Sequence, residues 1–241
     1  LSRPDGGQLR PARVRPEQIR HIPTVLYHWR IRPGSTALGH SEKDYAWDAG
    51  RRAIEDCLSS QGIKAAVSRS LSPVFYRVHY ALPDPAPKVS VIIPTRDRGF
   101  LLRRCVESLL KLSTYKHFEV IIVDNGSTEP AAVDYLNELR GRPGFRVLSF
   151  PEPFNYSAMN NRAAAMTDGD VLCLLNNDTE VITPNWMEEM LGCLMQHGVG
   201  VVGARLLYPD NTVQHAGVIL AGEDRIAAHA HAFIPGDERG Y

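Results

Sequence analysis

The chain has few cysteines and no excess of charge of either sign. Cys57, Cys105, Cys173 and Cys193 are scattered without CxxC spacing. This pattern argues against disulfides and fits reduced thiols in a cytoplasmic protein, with Cys105 and Cys173 on core faces. Basic and acidic residues both number 27, so the formal net charge is zero. The sequence therefore predicts no nucleic-acid partner, because a basic footprint is missing.

Long apolar runs are also missing. No stretch approaches the length needed to span a bilayer, so we expect no transmembrane segment and no signal peptide. A cytoplasmic location is predicted, with peripheral association at the inner face of the membrane as an alternative. At 241 residues and 44% hydrophobic content, the chain is nevertheless long enough to bury a core.

A glycine-rich phosphate loop is the third absence. Neither the GxGxxG nor the GxxxxGK(S/T) pattern follows any predicted strand. A bound diphosphate would then need a metal ion, rather than a nest of backbone N–H groups, to balance most of its charge. This absence argues against a dehydrogenase or a kinase.

Three predicted strands end in acidic side chains. The strands are the apolar runs at 89–93, 120–123 and 173–175. Asp97, Asp124 and Asp178 follow them at or just past their carboxyl ends. Taken singly, each could be an ordinary polar turn. Crowded carboxylates repel one another and raise one another's pKa unless a cation or ligand donors gather there, so the three together predict a ligand site.

Helical patterns lie between these strands and after the last of them. They lie at 101–110, 158–166 and 183–198. The alternation of strands and helices predicts the α/β class, with a mostly parallel sheet flanked by helices. Two later apolar runs, 198–208 and 213–218, are typical of a further buried strand and of a short edge or hairpin segment.

The motifs PTRD, VDNGST and LLNND, in this order and at these separations, resemble those of the family 2 glycosyltransferases. That family transfers a sugar from a nucleotide-diphosphate donor with inversion and has the fold called GT-A. The resemblance covers roughly residues 89–241. It implies that the nucleotide sugar is held by Pro94, Thr95, Arg96, Asp97, Asp124 and Asn125.

The resemblance also implies a donor contact from the helix at 158–166. The family has an asparagine and often a basic residue there, which correspond to Asn161 and Arg162 in this chain. The alternative for both is a solvated polar face of the helix.

The third motif implies a metal ion. In the family an Asp-x-Asp motif holds Mg²⁺ or Mn²⁺ on the diphosphate, and here it reads Asn176, Asn177, Asp178. The first acid is replaced by an amide, which leaves Asp178 as the single protein carboxylate and Asn176 and Asn177 as nucleotide-sugar contacts. Mg²⁺ is usually held by one or two carboxylates plus substrate phosphates, so one aspartate can suffice.

Three late histidines are candidates for additional metal or phosphate contacts. Imidazole is a good metal ligand, and the sequence AHAH at 228–231 puts two histidines on one side of an extended segment. His215 and His229 are retained as additional metal-ligand candidates. The alternative for each, and for His231, is a hydrogen-bonded structural role.

The first third of the chain differs in character. It contains a lead-in rich in Arg, Pro and Gly, a strand-like run, an amphipathic helix and two short strands, at 1–18, 21–30, 41–61, 65–70 and 75–82. With the linker PDPAP, these predict a small N-terminal α/β appendage over 1–87 and the GT-A domain over 88–241. The appendage looks like the connector between two glycosyltransferase domains in tandem proteins. A small cap on the catalytic domain is the alternative.

The catalytic base is not identified by the sequence. An inverting transferase needs a carboxylate that takes the acceptor hydroxyl proton during attack on the anomeric carbon. In the family this base follows the metal motif at a distance that implies a position beyond Tyr241. Glu223 and Asp224 lie too early and are typical of a turn. We therefore expect a piece of a longer polypeptide that binds donor but does not transfer sugar alone.

The predicted function is that of a metal-assisted inverting glycosyltransferase. It would use a nucleotide-diphosphate sugar and a glycan or lipid-linked acceptor in bacterial surface polysaccharide synthesis. A non-catalytic nucleotide-sugar-binding or scaffold domain is the alternative, in which Asn176 marks lost chemistry. A sugar-nucleotide pyrophosphorylase is a third, but it would need a glycine-rich basic loop that this chain lacks.

Overall fold

A computed structural model describes residues 20–27, 44–70, 75–219 and 227–237. It divides into two compact units, one containing the described residues as far as Ala81 and the other spanning Leu82–Gly236. The domain boundary expected after residue 87 stays a prediction. The predicted lead-in at 1–18 and the two acids Glu223 and Asp224 lie outside the described residues.

The first unit is a helix followed by a hairpin. Helix α1 spans Asp44–Ser60 and the antiparallel strands β1 and β2 span Ala65–Arg69 and Tyr76–Tyr80. The ring of Trp47 stacks on Tyr76 with centroids 5.8 Å apart. The guanidinium carbon of Arg69 lies 4.6 Å from the centre of the Trp47 ring. Aromatic stacking and a cation–π contact therefore contribute to the packing of this small α/β unit.

The strand predicted at 21–30 is not formed where the structure describes it. Residues 21–27 have no strand conformation. Their apolar side chains, among them Val25 and Leu26, are exposed. A β-branched and aromatic run forms a strand only when a neighbouring strand accepts its backbone hydrogen bonds. No strand among the described residues pairs with this segment.

The second unit is built on a parallel sheet of four strands. They are β3 (Val89–Thr95), β4 (Phe118–Asp124), β5 (Phe145–Ser149) and β6 (Val171–Leu174). The helices that flank it are α2 (Gly99–Leu112), α3 (Pro130–Arg140), α4 (Tyr156–Ala164) and α5 (Trp186–Leu194). This architecture confirms the predicted α/β class with a parallel sheet between helices. No helix in the described part of the chain is both long and apolar enough to cross a bilayer.

The strand order places a crevice beside β3. The order across the sheet is β5-β4-β3-β6. The chain therefore moves outward from β3 to β5 and then returns to the other side of β3. In open parallel sheets, ligands bind outside the carboxyl ends of the strands at such a reversal.

Alternating side chains of β3 build two hydrophobic layers. Val91 and Ile93 lie in the layer shared with α2, α3 and α5, whereas Ile92 packs with Met159 of α4 on the opposite face. Cys105 of α2 is buried in the first layer, as the sequence predicts, and burial raises the pKa of its thiol. Both faces of β3 and β4 are thus covered, which is why these two strands are continuous apolar runs. Strand β6, expected from its apolar run to be buried as well, is only half-buried, with Leu172 and Leu174 47% and 53% exposed.

The predicted buried strand at 198–208 is largely absent. Only Leu206–Leu207 is a strand (β7), and it pairs with the antiparallel strand β8 at Val213–His215. Val201 is 89% exposed. Glycine loses more conformational entropy than any other residue on ordering, and three glycines interrupt this run. Without a neighbouring strand in the described part of the chain, the apolar pattern does not become a strand.

An ionic network holds the amino ends of the strands, opposite the carboxyl edge. Glu119 of β4 accepts hydrogen bonds from Ser90 Oγ at 2.8 Å and from Arg146 at 2.5 Å. Lys88 Nζ lies 3.5 Å from the same carboxylate and also pairs with Asp168. The network therefore joins three neighbouring strands and the turn that precedes β6.

We expect Glu119→Ala to lower the free energy of unfolding by about 1–3 kcal/mol, because Ser90 and two cations lose a shared acceptor that is only 12% exposed. Urea denaturation followed by circular dichroism measures the change. Glu138→Ala is the control: this carboxylate also pairs with an arginine but is 55% exposed, so its loss should cost less than about 1 kcal/mol. Equal losses would contradict a special role for Glu119.

Candidate functional site

Thr95 joins three of the predicted strand ends. Its carbonyl accepts a hydrogen bond from the backbone N–H of Asn125 at 2.9 Å. Its hydroxyl accepts one from the side-chain amide of Asn177, also at 2.9 Å. In the sheet Thr95 lies directly beside Asp124. The ends of β3 and β4 and the segment after β6 therefore meet around one side chain that is 4% exposed.

The rest of the first motif surrounds this point. Pro94 lies within β3 beside Val123 of β4, and Arg96 is exposed in the turn that follows the strand. Asp97 has a left-handed backbone with φ of 54°, a conformation that aspartate tolerates better than most residues.

The carboxylate of Asp97 ties this turn to α3. It accepts hydrogen bonds from the backbone N–H groups of Thr128 at 2.7 Å and Glu129 at 2.8 Å. These two N–H groups, of which that of Glu129 has the larger effect, hold the pKa of Asp97 below its ordinary value of 3.8. Since the folded-state pKa is depressed, the stabilisation is present above the ordinary pKa and is lost as the pH falls through the lowered value. A nucleoside contact by Asp97 stays a prediction.

The loops of the first and second motifs contact each other where α2 and α3 begin. The N–H of Gly99 donates to the carboxylate of Glu129 at 3.1 Å. A Cβ on Gly99 would come within 2.7 Å of the backbone nitrogen of Ala132. Only glycine permits this approach of α2 to α3, so the two motif loops hold a fixed relation.

The second motif supplies one acid and one amide. Asp124 is buried, and one of its oxygens accepts from the N–H of Ser127 at 2.9 Å. The amide of Asn125 donates to the carbonyls of Phe150 and Glu152, both at 2.8 Å. Its own oxygen is buried without a hydrogen-bond partner in the part of the chain described. A carboxylate could not replace this amide, because it has no N–H to donate.

Arg162 of α4 contacts the loop at 150–152, to which Asn125 also binds. Its guanidinium donates to the carboxylate of Glu152 at 2.6 and 3.2 Å and lies 4.4 Å from the centre of the Phe150 ring. The bidentate pair holds the pKa of Glu152 below its ordinary value. The guanidinium is therefore engaged with protein groups, and a direct donor contact by Arg162 stays a prediction.

The asparagine pair on α4 divides into an exposed and a buried member. Asn161, the predicted contact, is exposed. Asn160 is only 5% exposed; its amide donates to the carbonyl of Tyr156 at 2.8 Å, and its oxygen has no partner within the described residues. Sequence reasoning did not select Asn160. The signal was its place next to Met159, which with Ala163 marks the packed face of the helix.

The third motif continues the line of β6. Leu175 donates its N–H to Ile92 of β3 at 3.0 Å, and the chain then turns through Asn176, Asn177 and Asp178. The side chain of Asp178 is exposed. Its carboxylate makes no hydrogen bond or ion pair within the described ranges.

Two of the late histidines meet. Strand β9 (Val218–Ile219) pairs with strand β10 (Ala228–His229), and Nδ1 of His215 lies 2.8 Å from Nδ1 of His229. One ring therefore donates to the other. No group of three or more His, Cys, Asp or Glu side chains in the described ranges is close enough to hold a metal ion. A metal-ligand role for this pair stays a prediction.

The fold and the motif contacts together define a parallel α/β protein whose three motifs meet at the carboxyl edge of its sheet. The sequence profile of the family described as Glycosyl transferase family 2 matches residues 90–231, which is more than half of the chain. The chain therefore belongs to family 2 of the glycosyl transferases.

Two longer bacterial proteins are similar over most of the chain. The uncharacterized protein y4gI of Sinorhizobium fredii (strain NBRC 101917 / NGR234) is 45% identical over 231 residues, which are 95% of this chain and 25% of that protein. The O-antigen biosynthesis protein RfbC of Myxococcus xanthus is 42% identical over 217 residues, which are 90% of this chain and 17% of that protein. The chain thus spans a quarter or less of the length of these relatives.

Solved structures are similar at lower levels. The mannosyltransferase PcManGT from Pyrobaculum calidifontis, in complex with GDP-Man and Mn²⁺, is 19% identical with a TM-score of 0.46, covering 69% of this chain and 46% of that one. Residues 1–349 of S. aureus TarS are 23% identical with a TM-score of 0.34, covering 38% of this chain and 27% of that one.

We expect Asn125→Asp to lower the free energy of unfolding by at least about 2 kcal/mol at neutral pH, because two hydrogen bonds to carbonyls are lost and a charge is buried beside them. The pKa of the introduced carboxyl should be raised by burial. The destabilisation should therefore grow as the pH rises above about 4 and shrink below it. Urea denaturation between pH 4 and pH 8 measures this.

The control for this prediction is Asn137→Asp on α3. Asn137 is exposed and only accepts a hydrogen bond, from Arg140. A carboxylate can accept equally well, so the change should stay within about 0.5 kcal/mol. If Asn125→Asp lowered the free energy of unfolding as little as this control, the amide of Asn125 would not be required to hold the loop at 150–152.

Proposed function

We propose that this chain is the donor-binding part of an inverting glycosyltransferase. It takes a nucleotide-diphosphate sugar with Mg²⁺ or Mn²⁺ and serves transfer to a glycan or lipid-linked acceptor in bacterial surface polysaccharide synthesis. The observation that carries the proposal is the meeting of three strand ends around Thr95 in a member of this family. The name of the relative RfbC, an O-antigen biosynthesis protein, supports the polysaccharide assignment.

Asp124 is assigned to the nucleoside. One of its oxygens is held by the N–H of Ser127, which fixes the carboxylate and leaves the other oxygen to accept from a ribose hydroxyl or a base N–H. The position at the carboxyl end of β4 puts this acceptor at the edge where parallel sheets bind nucleotides. Thr95 and the turn that holds Arg96 form the neighbouring strand end.

Asp178 is assigned to the metal ion. Its carboxylate is an exposed oxygen donor at a strand end, with no cation of the described residues paired to it. Mg²⁺ and Mn²⁺ prefer oxygen ligands, and a single carboxylate plus diphosphate oxygens is a common set for Mg²⁺. The residues present therefore fit the ion. When bound, it would neutralise the diphosphate and assist its departure.

The amide at Asn176 favours a second candidate, a non-catalytic nucleotide-sugar-binding or scaffold domain. An aspartate at position 176 would give the motif two carboxylates. With Asn176 there, the motif keeps a side chain that can contact the nucleotide sugar but has one negative charge less. No carboxylate of the described residues is assigned as the general base in either case. Metal-dependent hydrolysis of a nucleotide sugar by the full-length protein separates the two, since a scaffold would bind the donor without breaking it.

We expect UDP, GDP or dTDP to stabilise the chain only in the presence of Mn²⁺ or Mg²⁺. A ligand at a hundred times its dissociation constant should add about 2.7 kcal/mol. Thermal shift measured with Mn²⁺ and with excess chelator tests this. Asp178→Asn should remove the cation dependence and leave the fold intact, whereas Asp134→Asn, at an exposed site on α3, should change neither. Equal stabilisation in chelator would count against the metal.

The nucleoside assignment is tested with monophosphates in the absence of metal. We expect Asp124→Ala to weaken binding of UMP, GMP or dTMP by about tenfold or more, since a hydrogen bond to a charged acceptor contributes about 1.5–3 kcal/mol. Asp178→Ala should barely change it. Isothermal titration calorimetry measures both, with circular dichroism to check folding. The reverse ranking would mean that the two sub-sites have been exchanged.

A further inference from the structure

The segment that carries Asp178 is hydrogen-bonded to α2. The thiol of Cys105 lies 3.5 Å from the carbonyl oxygen of Asn176, to which it donates, and 3.7 Å from the hydroxyl of Thr179. That hydroxyl donates to the same carbonyl at 2.8 Å. Two groups therefore converge on the backbone carbonyl at the start of the segment 176–181, and one of them, the Cys105 thiol, belongs to the buried face of the helix.

Ser108 holds the other end of the segment. Its hydroxyl accepts from the backbone N–H of Val181 at 3.1 Å and donates to the carbonyl of Cys105 at 2.9 Å. Arg104 forms an ion pair with Glu180. Both partners of this pair are well exposed, so it contributes little by itself. One side of α2 thus contacts the segment just before Asp178 and just after it.

A contact from the sheet fixes the middle of the segment. Asn177 donates to the buried hydroxyl of Thr95. The backbone around Asp178 is consequently held from two directions, by α2 and by β3, while the carboxylate of Asp178 itself remains exposed. A side chain that is exposed on a rigid backbone is the arrangement expected of a preorganised ligand.

We propose that Ser108 and Cys105 are positioning residues that set the place of the Asp178 carboxylate for a divalent cation. The inference rests on the proposed function, because it presumes that Asp178 binds the cation. Groups that orient a metal ligand are worth about 10–100-fold in metal affinity when they are removed. Since α2 begins directly after the turn of Asp97, the same helix also connects the cation to the turn of the first motif.

Ser108→Ala is the first test. Mn²⁺ is titrated into mixtures of the 241-residue chain with UDP, GDP or dTDP in separate series, and free Mn²⁺ is followed by electron paramagnetic resonance. The same titration of nucleotide without protein gives the Mn²⁺ bound by free nucleotide, which is subtracted. We expect Mn²⁺ affinity to fall by about 10–100-fold. Binding of the corresponding monophosphate without metal should be unchanged, since the hydrogen bonds of Ser108 go to Cys105 and Val181 and not to Asp124. Ser108→Thr keeps the hydroxyl and should restore Mn²⁺ affinity to near the original value.

Ser113→Ala is the matched control. Ser113 follows the last turn of α2, is buried, and accepts a hydrogen bond from the indole N–H of Trp186 at 2.9 Å. Ser113→Ala also removes a hydrogen bond accepted by a serine hydroxyl, but the partner is Trp186 of α5, which lies outside the segment 176–181. It should lower the melting temperature as Ser108→Ala does, while leaving Mn²⁺ affinity unchanged.

Cys105→Val and Cys105→Ser extend the test should Ser108→Ala not fold. Valine has no donor for the carbonyl of Asn176 and should weaken Mn²⁺ binding, whereas serine keeps a donor and should not. Unchanged Mn²⁺ affinity in Ser108→Ala or Cys105→Val, or an equal loss in Ser113→Ala, overturns the inference. If the original chain binds no nucleotide with a cation dependence, the proposed function fails first, and that outcome is recognised before any variant is made.

Discussion

Thr95 is the residue on which the geometry of the site depends. Parallel strands bring their carboxyl ends to one edge, but that leaves the ends free to diverge beyond the last ladder hydrogen bond. The carbonyl and hydroxyl of Thr95 bind Asn125 on one side and Asn177 on the other. The acid of the second motif and the acid of the third are thereby held on either side of the same strand, across the point where the strand order reverses.

Three of the four strands of the sheet and the neighbourhood of the site could be predicted from the sequence, but β5 (Phe145–Ser149) was not. Strands buried on both faces are continuous apolar runs, so Val89–Thr95 and Phe118–Asp124 can be recognised without knowledge of their partners. Once the strands are taken as parallel, Asp124 and Asp178 must lie at the same edge. Family membership, predicted from three motifs, is confirmed by the match over residues 90–231.

Features that depend on distant partners could not be predicted in the same way. The pattern at 198–208 is as apolar as a core strand, yet most of it lacks a strand to pair with in the described part of the chain. The ion pair of Arg162 with Glu152, ten positions away in a loop, was not predicted, and the donor contact of Arg162 stays a prediction. The burial of Asn160 rather than Asn161 had only a local signal, the neighbouring Met159 on the packed face of α4, which was not used in the prediction.

The amides at the carboxyl edge differ in what they do. The amide of Asn125 donates to two carbonyls, which no carboxylate can do, so its identity is fixed by structure. The amide of Asn177 donates to the hydroxyl of Thr95, which could instead donate to a carboxylate. Asn176 makes no such side-chain contact among the described residues, and only there does an amide in place of an acid lower the charge of the site. Under the proposed assignment of Asp178 to the metal ion, an edge with one such carboxylate instead of two repels a diphosphate less and holds a cation less tightly by itself. Cation and nucleotide are therefore expected to bind as a pair, each completing the site for the other.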